Sequence, residues 1–257
     1  NLDTSKYLYF CIKITIMKLS LIFIVLITFN SLIFSQSIIT DRPDQTESSF
    51  SVEVGQLQIE SGLLIEYIGE DKTNRNISLP SNLFRYGIYE GVELRVLNQI
   101  EFYQGKIGKF LVSDLELGVK VELFHNNSVN CAILSHLTLP TGSNELSNKE
   151  VQMINKFCIS KDLNDEIGIA CNIGYNYLSK DNEIYTYSIV LGSIVSESVS
   201  IYIEPFGEFI GLANQTSSIN TGLTYLLNNH FQLDYSFGLG LNHKMNYVSV
   251  GFSWRVG

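Results

Sequence analysis

Residues Phe231 to Leu241, FQLDYSFGLGL, alternate over their whole length. Phe231, Leu233, Tyr235, Phe237, Leu239 and Leu241 form one apolar, half-aromatic face, against Gln232, Asp234, Ser236, Gly238 and Gly240 on a polar or small one. Successive side chains of a β-strand point to opposite sides, so this stretch reads as a strand between two unlike environments. It exceeds the ~5–6 residues usual in globular strands, and about 9–11 tilted residues cross a bilayer. Lipid on one face and a polar interior on the other describe a stave of a transmembrane barrel. The rest of the chain has to repeat it.

It does. Periodic segments predict strands at residues 56–67, 77–86, 92–103, 114–124, 129–139, 151–160, 167–177, 184–194, 199–209, 219–227, 231–241 and 247–256. The segment at 129–139 is apolar on both faces, and that at 151–160 has the weakest period. Pro205 falls inside the ninth strand, where it cannot donate to a ladder, and marks a bend or bulge. The connections alternate longer and shorter, as in barrels whose short turns and long loops lie on opposite sides of the membrane. Aromatic residues fall at strand ends: Phe102, Tyr175, Tyr177, Tyr185 and Tyr187 towards one rim, Tyr86, Tyr225, Phe231 and Trp254 towards the other. Amphipathic rings belong at headgroup level. The fold expected is all-β: a closed, antiparallel, up-and-down transmembrane β-barrel of about twelve strands.

Composition agrees. The net charge is −9, and 17% of the 257 residues are charged. No basic footprint offers itself to nucleic acid. A mean hydropathy of +0.13 is too low for a helical membrane bundle. Met17 opens MKLSLIFIVLITFNSLIFSQ, with one Lys, an apolar run from Leu19 to Phe34, then Ser35 and Gln36. This has the form of a secretory signal peptide. The expected organisation is an upstream extension at 1–16, a signal peptide at 17–35 cleaved after Ser35, an irregular segment at 36–54 and the barrel at 55–257. A single membrane anchor is the rival reading of the apolar run. Cys131, Cys158 and Cys171 follow the signal peptide, an odd number with no CxxC, which argues against a disulfide framework. Strand parity puts Cys131 and Cys171 on the apolar face, where Cys acts as a small hydrophobe. No metal or cofactor signature is present.

Several segments carry a resemblance: TDRPDQTESS at Thr40–Ser49, GQLQIESG at Gly55–Gly62, LFRYGIYEGVELR at Leu83–Arg95, DLELGVKV at Asp114–Val121 and LSHLTLPTG at Leu134–Gly142. With these the chain resembles the transporter-like outer-membrane family named after the meta-pathway of phenol degradation. The resemblance covers nearly all of the chain after the signal peptide and implies uptake of aromatic or other apolar small molecules. One departure is the ending Arg255, Val256, Gly257, where such barrels finish on an aromatic residue.

The charges are placed by parity. Glu60, Glu66, Arg85, Glu93, Arg95, Glu101, Glu116, Lys120 and Glu122 face inward, with His136, Glu204 and Asp234 as further lumen candidates. On the lipid face such charges would be too costly. A barrel of this size is narrow beside the ~16–18-stranded porins, so most of these charges are expected to form an ion-paired network that fills and stiffens it. Asp41, Arg42, Asp44 and Glu47 are candidates for a small plug in the lumen, with Arg42 meeting the acidic wall; a periplasmic tail is the alternative. Ser135–His136 invites a hydrolase reading, but neighbours on a strand point to opposite faces and cannot pair as nucleophile and base. The expectation is a non-enzymatic outer-membrane channel of a Gram-negative cell, passing a small molecule passively. Its partners are outer-membrane lipid, the solute and the barrel-insertion machinery. A lipid-modifying barrel enzyme and a closed structural or adhesion barrel are the alternatives.

Overall fold

The computed structural model describes residues 38–69, 74–103, 108–125, 129–179, 182–210 and 214–256. The expected extension at 1–16 and signal peptide at 17–35 lie outside the described residues. Strands run in chain order: β1 (Leu57–Ile68), β2 (Asn74–Tyr89), β3 (Val92–Tyr103), β4 (Lys109–Val112), β5 (Leu115–His125), β6 (Asn130–Leu139), β7 (Gln152–Asp162), β8 (Ile167–Ser179), β9 (Asn182–Ser196), β10 (Val199–Ile210), β11 (Asn214–Asn228), β12 (Phe231–Gly240) and β13 (Met245–Val256).

Strands pair antiparallel with their neighbours in the chain, except that β4 and β5 both pair with β3 and not with each other, and β1 closes the ring on β13 from Leu57↔Val256 to Ile68↔Met245. β3 carries both β4, from Ile100↔Val112 to Tyr103↔Lys109, and β5, from Val92↔Val121 to Leu97↔Glu116. β4 and β5 are therefore one stave, interrupted at Ser113–Asp114, and the barrel has twelve staves.

Polarity is inverted relative to a water-soluble domain. Leu233, Tyr235, Leu239, Val250 and Trp254 stand 41–44% exposed on the outside, while Arg85, Glu93, Arg95, Lys120 and Glu204 inside are no more than 1% exposed. A fold that leaves its apolar side chains out and encloses its charges is solvated by hydrocarbon. Polar side chains on the outer face pair with one another: Ser61 donates to Asn82, Asn82 to Asn98, and Ser135 to Asn155. A polar group facing lipid has no water to turn to. Cys131 and Cys171 have the outer parity, as expected; inward Cys158 packs with Ala132 and Leu134.

The structure corrects several expectations. The loop expected at 104–112 contains β4, and the connection expected at 178–183 shrinks, since β8 runs to Ser179 and β9 starts at Asn182. β2 and β11 likewise begin earlier than their apolar periods, at Asn74 and Asn214. Backbone pairing continues past the membrane belt, where the alternation that marks a strand has already ended. Long and short connections therefore alternate less regularly than expected, and residues 140–151 form the long one among those described. Pro205 makes no bulge. Ile203↔Leu191 and Phe206↔Ser188 keep one register, the ladder to β9 simply lacking pairs between them. A proline does accompany a register shift in β2, where the shift between Ser78 and Ser81 falls around Pro80.

Candidate functional site

Residues 38–56 enter the ring, turn back within it and leave on the side they entered. Ile38 donates to the carbonyl of Asn229, in the turn between β11 and β12. At the other end Val54 bridges Gly87, and Gly55 donates to the Gly87 carbonyl, beside the turn between β2 and β3. Gly87 is required there, since a Cβ would run into the carbonyl oxygens of Val52 and Glu53.

Asp41 is the hub. Its Oδ2 accepts from Arg95 Nη1 at 2.6 Å and Lys120 Nζ at 3.1 Å, and lies 3.4 Å from Arg85 Nη1. Its Oδ1 accepts from the Ser48 amide at 2.7 Å, which closes the turn of the segment. Burial alone would raise the Asp41 carboxyl, but Arg85, Lys120 and Arg95 outweigh it and hold it well below the usual carboxylate range. Glu60 accepts the Asp41 and Arg42 amides at 3.0–3.1 Å and Arg85 Nη1 at 2.9 Å. Glu93 takes Arg85 Nε at 3.0 Å, Arg95 Nη1 at 2.9 Å and the Val52 amide at 2.7 Å. Glu122 accepts from the amide and hydroxyl of Ser51. Arg42 crosses to Asp234, with Nη2 to Oδ1 at 2.9 Å and to Ser249 Oγ at 2.9 Å. Gly62 and Gly251 make room for it, since a Cβ on either would meet its guanidinium.

The tip, Gln45 to Glu47, leans on the other side of the ring. The Gln45 amide donates to Glu204 Oε2 at 2.9 Å; Thr46 Oγ1 donates to Glu204 Oε1 at 2.5 Å and accepts from Ser188 Oγ at 2.7 Å. Glu47 accepts from Arg95 Nη2 at 2.8 Å and Lys156 Nζ at 3.3 Å. Asp44 makes no ion pair among the described residues; burial, then the neighbouring Glu204, push its carboxyl well above the usual range. One cavity of about 520 Å³ has Gln45, Lys156, Phe206, Glu208 and Met245 in its lining. Another, of about 750 Å³, is lined by Asp44, Thr46, Asp162, Tyr202 and Thr224. The segment tip contributes to both.

Of the lumen residues expected from parity, Glu60, Arg85, Glu93, Arg95, Lys120 and Glu122 join the segment in one network, with Asp41 and Glu47 supplied by the segment itself. Glu204 and Asp234 hold it from the opposite wall. Glu66, Glu101, Glu116 and His136 face inward but stay apart from it: Glu66 accepts from Asn76, Glu101 from Gln99 and Ser113, and His136 Nδ1 lies 3.0 Å from Glu116. Ser135 faces outward and His136 inward, so they form no pair. Sequence reasoning did not single out Lys156, Gln58, Ser188, Asn220, Tyr247 or Ser249. Inward parity was the available signal, and it does not say which neutral side chain the segment will reach.

A closed ring with an apolar exterior and a charged lumen, occupied by a folded-in segment, defines an outer-membrane β-barrel. The chain belongs to the family described as "Putative MetA-pathway of phenol degradation", whose model matches residues 40–256. Among solved structures it is similar to the COG4313 outer membrane channel from Pseudomonas putida F1, with TM-score 0.60, 14% identity, and 81% of this chain and 98% of that one covered. It is also similar to the KdgM porin in complex with disordered oligogalacturonate, with TM-score 0.57, 11% identity, and 77% and 98% covered. At these identities the likeness is one of fold. No curated protein matches the sequence.

Proposed function

We propose that the protein is a passive outer-membrane channel for a small molecule, held closed at rest by residues 38–56, and that residues 17–35 are the signal peptide that starts its export. The observation that carries this reading is the division of the lumen. One side is a lock of ion pairs around Asp41; the other holds two cavities that share the segment tip. Membership of a family named for phenol degradation, and similarity to a COG4313 channel, support passage of a small organic solute. Passage rests on lumen shape and charge, without coupled energy.

A closed structural barrel is favoured by the depth of the lock, since Arg85, Arg95 and Lys120 are no more than 1% exposed. Single-channel recording in planar bilayers separates the two. The wild-type protein gives small, brief conductance steps, and Asp41→Ala gives larger or longer ones. Silence from both, in protein shown to be folded by its heat-modified gel mobility, overturns the channel reading in favour of the closed barrel.

A further inference from the structure

The lumen charges are not evenly matched around the ring. Arg85, Arg95 and Lys120, on β2, β3 and β5, are each paired with Asp41, Glu93 or both. Arg42 is taken by Asp234, and Lys156 by Glu47. On the wall formed by β7 to β11 the acids have no such partners. Glu204, 0% exposed, is met by neutral donors, the Gln45 amide, the Thr46 hydroxyl and Asn220 Nδ2 at 2.6 Å. Asp44 lies against it without an ion pair. Glu208 has the same inward parity four residues further along β10, and its side chain makes no hydrogen bond or ion pair among the described residues. Asp162 lines the second cavity at the opposite end of this wall, together with Asp165 and Glu166. Lys161 is there too, with outward parity.

Both cavities lie along this wall. At about 520 and 750 Å³ they fall within the ~300–1,000 Å³ typical of small-molecule sites. The first combines Glu66 and Glu208 with the apolar side chains of Ile68, Ile154, Phe206 and Met245. Asn220 supplies an independent sign. It is 1% exposed and spends its Nδ2 on Glu204 and Tyr247, while Oδ1 of the same amide is buried without a partner. A buried acceptor set beside a carboxylate suits a hydrogen-bond donor that is also positively charged, such as an ammonium group. Lys156, on β7, also lines the first cavity, but its charge is taken up by Glu47, which leaves the carboxylates in excess on this wall. Low-dielectric walls with an excess of one charge sign raise the local concentration of the opposite sign, and carboxylate rings are the usual selectivity device of cation channels.

We propose that solute passes along the β7–β11 wall, by Glu208, then Glu204 and Asp44, then Asp162, and that this wall selects a positively charged group carried on a small apolar body, such as an aromatic or aliphatic ammonium ion. The inference rests on the channel reading above and narrows its solute class. Phe206 adds a ring face over which such a cation is attracted.

The test is the reversal potential of single channels in a KCl gradient, recorded for wild type, Asp41→Ala, Glu208→Gln, Glu208→Asp and Asp162→Asn. Wild type and Asp41→Ala pass K⁺ several-fold better than Cl⁻. Glu208→Gln and Asp162→Asn each lower that ratio by about twofold, and Glu208→Asp keeps it. Benzylammonium added to either side blocks the current, and benzoate does not. Steps that prefer Cl⁻, a ratio unmoved by either neutralised variant, or equal block by the two ions overturn the inference and leave the channel reading standing. No steps from wild type or Asp41→Ala remove the channel reading and this inference with it.

Discussion

Arg95 and Asp41 meet at 2.6 Å, Nη1 to Oδ2, across a separation of 54 residues. Both side chains are at most 4% exposed, and Lys120 and Arg85 complete the cage around the carboxylate. Removing one partner of a buried ion pair leaves the others desolvated and unmatched, typically at about 3–5 kcal/mol. Asp41→Ala is therefore expected to lower the temperature at which the folded band is lost in heat-modifiability gels, and to raise conductance. An unchanged midpoint would place the weight of the lock elsewhere.

Arg42 reaches Asp234 through a gap left by two glycines. The group that an added Cβ at Gly62 would displace is the far end of a flexible side chain, so the barrel itself should tolerate Gly62→Ala. The expected outcome is a folded protein whose solute flux into liposomes rises as it does in Arg42→Ala, with no further rise in the double variant. Additive increases would show that Gly62 acts by another route.

Asp114, in the break between β4 and β5, ties down the long connection. It accepts the Gly142 amide at 2.8 Å and the Asn148 amide at 2.9 Å. Burial would raise its carboxyl, but these amides outweigh burial and lower it below the ordinary 3.8. A lowered carboxyl contributes its stability in full above the unfolded value and loses it as pH falls through the folded one. Protection of the Gly142 and Asn148 amides from hydrogen exchange is expected to hold at neutral pH and to fall below pH 3.8, once intrinsic exchange rates are corrected. Asp114→Asn should show the low-pH behaviour at neutral pH.

Cys158 faces the lumen at 0% exposure, two residues from Lys156, which holds Glu47. In a background lacking Cys131 and Cys171, its labelling by a small maleimide reports whether the segment is in place. Slow labelling is expected in the wild-type protein and fast labelling in Asp41→Ala; equal rates would mean that the segment does not guard this side.

Much of this was legible in the residues alone. Alternation placed the strands, and the inward parity of Glu60, Arg85, Glu93, Arg95 and Lys120 holds, because a charge on the lipid face would be expelled by hydrocarbon. The polar, non-repetitive run at Asp41 to Glu47 suggested a lumen plug but left a periplasmic tail open. What parity cannot supply is register around a closed sheet. Asp41 meets Arg95 and Lys120 because the stagger of β3 and β5 brings them to one height, and that stagger is a property of the whole ring. Strand ends were missed for a related reason. β2 and β11 pair by backbone from Asn74 and Asn214 on, ahead of the stretch whose sequence alternates. Pro205 was misjudged because a missing donor need not shift a ladder that continues on its other side.

The infolded segment bonds side chains of β1, β2, β3, β5, β7, β9, β10, β12 and β13, yet its two ends leave by the same mouth. A ring sealed first would have to be threaded afterwards with a doubled-back chain carrying Asp41, Arg42, Asp44, Glu47 and Glu53. Closing the seam between Leu57–Ile68 and Met245–Val256 around a segment already in place avoids that threading. In the finished protein the stretch that is synthesised before any stave fills the space that the staves enclose.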